Sequence, residues 1–172
     1  MRLGETPSGE GLVDLLLACH ARIRRHARLA LTIGARLELP PGEVMAVATQ
    51  CLRYFGEALP LHVRDEEDSL APRLAGKSER LDATLAQMRA QHFAHEVLLD
   101  ALTEALRAVV AEPASAQHRR RLADAAATLE TDLEAHLSLE EAALFPFVVG
   151  ALSASDQAEA VRELRARRQP AA

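Results

Sequence analysis

The chain has 172 residues, 49% hydrophobic and 26% charged, with a net charge of −5, which suits one domain able to bury roughly 70% of its unfolded surface and excludes a disordered composition. The acidic balance, with a pI near 5.8, argues against nucleic acid as partner, which would require a clustered positive footprint. No apolar run approaches the ~18 residues needed to span a bilayer, and no apolar leader follows Arg2, so the expected location is the cytoplasm, away from membranes.

Hydrophobic spacing of three and four predicts helices throughout. The first is expected from about Glu10 to about Leu37, with Val13, Leu16, Leu17, His20, Ile23, Ala27, Ala30 and Leu31 on its inner stripe. Pro40-Pro41-Gly42 ends it. A second helix, from near Glu43 to about Leu70, carries Val44, Val47, Ala48, Cys51, Leu52, Phe55 and Leu59, and Pro60 is expected to kink or briefly break it. Pro72, Gly76 and Lys77 make a turn, Ser78 caps, and a third helix runs from about Glu79 to Ala111 with Leu81, Leu85, Met88, His92, His95, Leu99, Leu102 and Leu106 on one side. Ser115 caps a fourth, which Pro146 kinks or ends. Arg119, Arg120 and Arg121 read as its solvated start. Ser153 and Asp156 resemble a capping box for a short fifth helix, about Asp156 to Arg167, and residues 168–172 are expected to fray.

Nothing alternates with period two for long enough to make a strand. The expected fold is all-α, an up-down-up-down four-helix bundle with a short C-terminal fifth helix. The expected organisation is one domain over residues 1–172: a tail at 1–9, the bundle at 10–152, and the last helix and tail at 153–172. Cys19 and Cys51 form no Cys-x-x-Cys pattern and read as small buried hydrophobes.

The chemistry lies in a doubled motif. Residues 62–72 and 136–146 both read His-x-x-x-Glu-Glu-x-x-Leu-x-Pro, and the offset is 74 at every specified position. Residues i and i+4 share a helix face, so His62 with Glu66, and His136 with Glu140, each present an imidazole and a carboxylate together. Two further histidines sit on inner stripes: His20 on the first helix, and His92 or His95 on the third. The histidine pair one turn apart leaves two possibilities, with His92 preferred and His95 as substitute, additional ligand or lining residue. In an antiparallel bundle these residues meet at one level. Four imidazoles and two carboxylates suit a pair of iron ions, with manganese or zinc possible, the carboxylates bridging and the histidines terminal. Buried carboxylates need cations, and the nearby Arg64 and Arg73 fall on other faces. Glu67 and Glu141 turn roughly 100° from the first acids, toward outer or surface positions. His26 and His118 read as surface histidines.

With these residues in place the chain resembles the hemerythrin-like, or HHE cation-binding, family over roughly residues 10–168. The resemblance implies a four-helix bundle with a non-haem diiron centre whose ligands are His20, His62, Glu66, His92, His136 and Glu140. The oxygen-carrier branch of that family is typified by His-x-x-x-His on the third helix and an aspartate five residues after the last histidine. Here the third helix has His92-x-x-His95, and Glu140 follows His136 by four.

The leading expectation is therefore a metal-binding protein that binds or senses dioxygen, peroxide or nitric oxide, or iron itself. An apolar lining from Leu17, Ile23, Met88, Leu133 and Phe145 would admit such molecules. The alternative is a diiron enzyme that reduces peroxide or nitric oxide or donates iron for iron-sulfur centre repair.

Overall fold

The structure is a computed structural model and describes residues 11–169. Every regular element among them is helical, and none of these helices is long and apolar enough to cross a membrane. The expected tail at 1–9, the expected start at Glu10 and residues 170–172 lie outside the described residues.

Helix α1, Leu12–Ala35, starts at Gly11, whose N–H donates to the Asp14 carboxylate at 3.0 Å. It buries Leu12, Leu16, Cys19, His20, Ile23, His26, Ala27, Ala30 and Ile33. Leu17, expected on the inner stripe, is 41% exposed. Gly34 marks a close approach to a neighbouring helix: a Cβ there would stand 2.6 Å from the Ala123 nitrogen.

Helix α2 spans residues 41–74 without a break and opens with Pro41, whose missing N–H is harmless in a first turn. Two wide π turns interrupt its α pitch, Tyr54–Ala58 and Asp65–Leu70. Helix α3 is Glu79–Ala111, capped by the Ser78 side chain, which accepts from the Leu81 N–H. Helix α4 spans residues 116–151, is capped by Ser115, and carries a third π turn at Glu140–Leu144. Helix α5, Ala154–Ala166, begins with the Ser153–Asp156 capping box.

The π turns explain how the prolines are tolerated. In each, the residue just before a proline donates its N–H five residues back: Leu59 to Tyr54, Ala71 to Glu66, and Phe145 to Glu140. Proline lacks an N–H and its ring presses on the carbonyl four residues earlier; a wider turn moves that carbonyl away. Pro60 therefore does not break α2, and Pro146 does not end α4, which continues to Ala151. Pro72 lies in the last helical segment, Ala71–Leu74, and the chain turns after it, with Gly76 at φ 76°. Positive φ is the region glycine enters without steric cost.

Helix α1 packs on α2 and α4, and α3 packs on the same two helices. Two apolar cores result. One collects Ile23 to Ile33, Val44 to Leu59, Leu102 to Val109 and Leu122 to Leu137; the other collects Leu12 and Leu16, Leu70 to Leu74, Leu81 to Met88, and Leu144 to Leu152 with α5. The candidate ligands, His20, His62, Glu66, His92, His136 and Glu140, fall between these cores on the four long helices.

Three polar residues overturn expectations from local pattern. Arg119 is only 2% exposed: its guanidinium donates to the carbonyls of Ile33 and Leu37 at 2.9 and 3.0 Å, and to that of Arg36. It satisfies the carbonyls left over at the end of α1. His26 is buried, stacked on Tyr54 with ring centroids 3.7 Å apart, its Nδ1 bonded to the Arg22 carbonyl. Arg168, expected to fray, donates to the fully buried Asp65 at 2.5 Å, and Arg167 does so at 2.8 Å. With Arg73 paired to Glu163 at 2.7 Å, these contacts fasten α5 over the Asp65–Leu70 turn.

Candidate metal centre

His62 and Glu66 lie one turn apart on α2, and His136 and Glu140 one turn apart on α4. The helix repeat turns each pair to the same inward face. His20 from α1 and His92 from α3 complete two overlapping groups, His20, His62, Glu66, Glu140 and Glu66, His92, His136, Glu140. Within each group the candidate ligand atoms all lie within 4.8 Å of one another, and every member is buried. Both acids belong to both groups.

Each carboxylate divides its oxygens between the groups. Glu66 turns Oε1 to Nε2 of His62 at 3.2 Å and Oε2 to Nε2 of His92 at 3.3 Å. Glu140 turns Oε2 to Nε2 of His20 at 3.3 Å and Oε1 to Nε2 of His136 at 3.2 Å. Despite these approaches, both oxygens of each acid and Nε2 of His20 and His62 make no hydrogen bond. Unsatisfied polar atoms of this kind in an apolar interior cost about 1–3 kcal/mol each, and they converge on the same space. Imidazole nitrogen and carboxylate oxygen are the donor types that borderline transition metals accept. The residues present therefore fit a bound metal ion.

An outer layer of hydrogen bonds orients the imidazoles. Glu141 Oε1 lies 2.8 Å from Nδ1 of His20, Glu67 Oε1 lies 2.7 Å from Nδ1 of His92, and Gln91 Oε1 lies 3.0 Å from Nδ1 of His136. A carboxylate at Nδ1 keeps a proton there, so Nε2 is the nitrogen left to a metal once a second proton has been lost. Arg24 in turn holds Glu141 at 2.7 Å. The second acid of each motif thus serves a histidine on another helix, α4 to α1 and α2 to α3. The doubled Glu-Glu in the sequence was the signal for these contacts, whereas nothing local marked Gln91 or Arg24.

Without metal the charges are strained. Burial lowers the pKa of His20, but Glu140, Glu66 and Glu141 outweigh it and raise the imidazole to about 10. His92 is likewise pulled down by burial and carried up to about 9 by Glu66 and Glu67. Burial dominates at His136, which falls to about 3, and at His62, which is also lowered. Burial and the neighbouring Glu66 push Glu140 up. Burial would raise Glu66 too, but His62, His20 and His92 prevail and lower it.

His95 belongs to neither group. It is buried with its ring edge-on to His136, centroids 5.1 Å apart. The two ends of the site differ as the motif copies differ: Phe145 lies 5.0 Å from the His20 ring, and the matching position in the first copy is Ala71.

The chain is similar over 88 residues to an uncharacterized protein of Haemophilus influenzae, with 32% identity. The matched stretch is 49% of this chain and 51% of that protein, so the chain spans about half the length of the curated relative it matches. The family model described as the hemerythrin HHE cation binding domain matches residues 11–148, and residues 93–169 a second time. Since the first match runs through all four long helices and both motif copies, the chain belongs to the hemerythrin HHE cation-binding family.

Proposed function

We propose that this chain is a single-domain, non-haem diiron protein that binds or senses dioxygen or a related small oxidant in the cytoplasm. One observation carries the dimetal reading: Glu66 and Glu140 are common to both four-residue groups and split their oxygens between them. In this reading His20 and His62 would hold one ion and His92 and His136 the other, with Glu66 and Glu140 available to both. Iron is the expected metal, with manganese and zinc compatible with the same donors. The order in which the two apolar cores are met along α1 and α3, and in reverse along α2 and α4, supports an up-down-up-down topology.

Bound there, the metals would supply redox chemistry toward dioxygen, peroxide or nitric oxide. The protein's own part is to fix Nε2 of His20 and His92 through Glu141 and Glu67 and to shield the ions between two apolar cores. A cavity reaching His92 and His136 would admit a small molecule to that side, and so serves both this reading and the enzymatic alternative, reduction of peroxide or nitric oxide or donation of iron. Metal analysis joined to absorption spectra with and without oxygen tests the first reading. Catalytic loss of peroxide or nitric oxide under an electron donor would replace pure binding with the enzymatic reading.

A further inference from the structure

Between α2 and α3, against the metal cluster, lies a cavity of about 520 Å³. A water occupies about 30 Å³ of liquid, so this space far exceeds the need of a diatomic and falls within the ~300–1,000 Å³ typical of organic-ligand sites. Its walls include Ile23, Leu59, Val63, Leu99 and Leu133, with Phe93, 74% exposed, on the solvent side. The charged residues around it balance, Arg64 and Arg89 against Glu67 and Glu96. Arg64 is paired with Asp68 and Glu67 with His92, so the lining side chains present no cluster of one sign to an occupant. Arg89 and Glu96 are exposed and keep their charges in solvent, so the apolar wall itself offers a desolvated ion no side-chain counter-charge.

Besides these charged side chains, the polar groups lining the cavity are imidazoles. His62, His92 and His136 turn Nε2 toward the shared carboxylates, whereas His95, 6% exposed, lines the same cavity outside both metal groups. An imidazole that ligates no metal can donate through one nitrogen and accept through the other. We propose that the cavity binds an uncharged organic molecule with an apolar body and a single hydroxyl-type head, the alcohol or hydroperoxide class, and that His95 hydrogen-bonds the head. This rests on the reading in which His92 and His136, not His95, face the metal, and extends the ligand class from small oxidants to organic hydroperoxides and their alcohols.

The test is a calorimetric titration of the metal-loaded full chain with three probes: 2-phenyl-2-propanol, cumene, which lacks the hydroxyl, and benzoate, which is anionic. The alcohol is expected to bind saturably at one site, cumene about tenfold more weakly for the loss of one hydrogen bond, and benzoate more weakly than either. His95→Leu should bring the alcohol down to the affinity of cumene with metal content unchanged. Leu99→Trp and Val63→Phe, which fill the cavity from opposite helices, should remove binding of both, with circular dichroism verifying the fold. No saturable alcohol binding to the wild type, undiminished binding in both filled variants, or preference for benzoate would overturn the inference. Loss of metal in His95→Leu would overturn it as well, by making His95 a ligand. A wild type that binds the alcohol but cannot be loaded with metal would sink the proposed function and leave the cavity assignment standing.

Discussion

Glu141 on α4 accepts a hydrogen bond from Nδ1 of His20 on α1 at 2.8 Å, and its counterpart Glu67 on α2 stands in the same relation to His92 on α3 at 2.7 Å. The pair of contacts crosses between the two halves of the bundle. Each motif copy therefore supplies its own inward histidine and acid and also orients a histidine on a helix that carries no motif.

The first prediction follows from that arrangement. Glu141→Ala and Glu67→Ala should each weaken metal affinity about 10–100-fold, the usual effect of removing a hydrogen-bond partner behind a ligating histidine. Glu66→Ala and Glu140→Ala should do far more, because each removes a donor from both groups. Competition against a chelator of known affinity measures the difference. Equal losses in all four variants would contradict the division between inner and outer acids.

A second prediction concerns pH. In the metal-free protein, burial is outweighed by carboxylates at His20 and His92, which stand near 10 and 9; both imidazoles carry a second proton and a positive charge at neutral pH. Metal must displace those protons, so loading at pH 7 should acidify a weakly buffered solution, and apparent affinity should rise with pH toward 9–10 and collapse in acid. The metal-free fold carries the opposite sign: the two raised pKa values contribute stability that is fully present below the ordinary histidine value of about 6.5 and lost as pH climbs through 9 and 10. Proton-neutral loading at pH 7 would contradict the charge state described.

Gly34 supplies a third, independent of the metal. A Cβ at this position would stand 2.6 Å from the Ala123 nitrogen and 2.9 Å from the Arg119 carbonyl oxygen, both backbone atoms. Gly34→Ala should cost about 1–3 kcal/mol by forcing α1 from α4, a fall in Tm of roughly 2–4 °C per kcal/mol at this length. Calorimetry of the metal-free protein reads it, and an unchanged Tm would contradict the close approach.

Arg119 supplies a fourth. Arg119→Met keeps most of the side-chain volume but strands the carbonyls of Ile33, Arg36 and Leu37 that the guanidinium serves. The expected loss is on the order of 3 kcal/mol, measured by denaturant unfolding, with metal content retained. A neutral effect would return Arg119 to the solvated role suggested by its place in a basic run.

These residues also show where local pattern stops being informative. The helices themselves and the clustering of the six side chains were legible because hydrophobic spacing and the doubled motif are periodic, and periodicity reports helix faces. His92 and His95 share a stripe, so spacing left them as alternatives. The packed structure separates them, bringing His92 to both shared carboxylates and leaving His95 against His136. Arg119 and His26 were read as exposed because their partners are backbone carbonyls and an aromatic ring, which no one-dimensional pattern displays. Pro60 was expected to kink or briefly break its helix and Pro146 to kink or end its own; the π turn found just ahead of each is a backbone adjustment without a residue signature of its own.

The measurement that bears most directly on the shared-carboxylate centre is iron per chain in anaerobically reconstituted wild type and Glu66→Ala. About two ions per chain are expected in the wild type, with both weakened together in the variant because Glu66 belongs to both groups. A wild type that holds a single ion, or a variant that loses one ion and keeps the other at unchanged affinity, would contradict it.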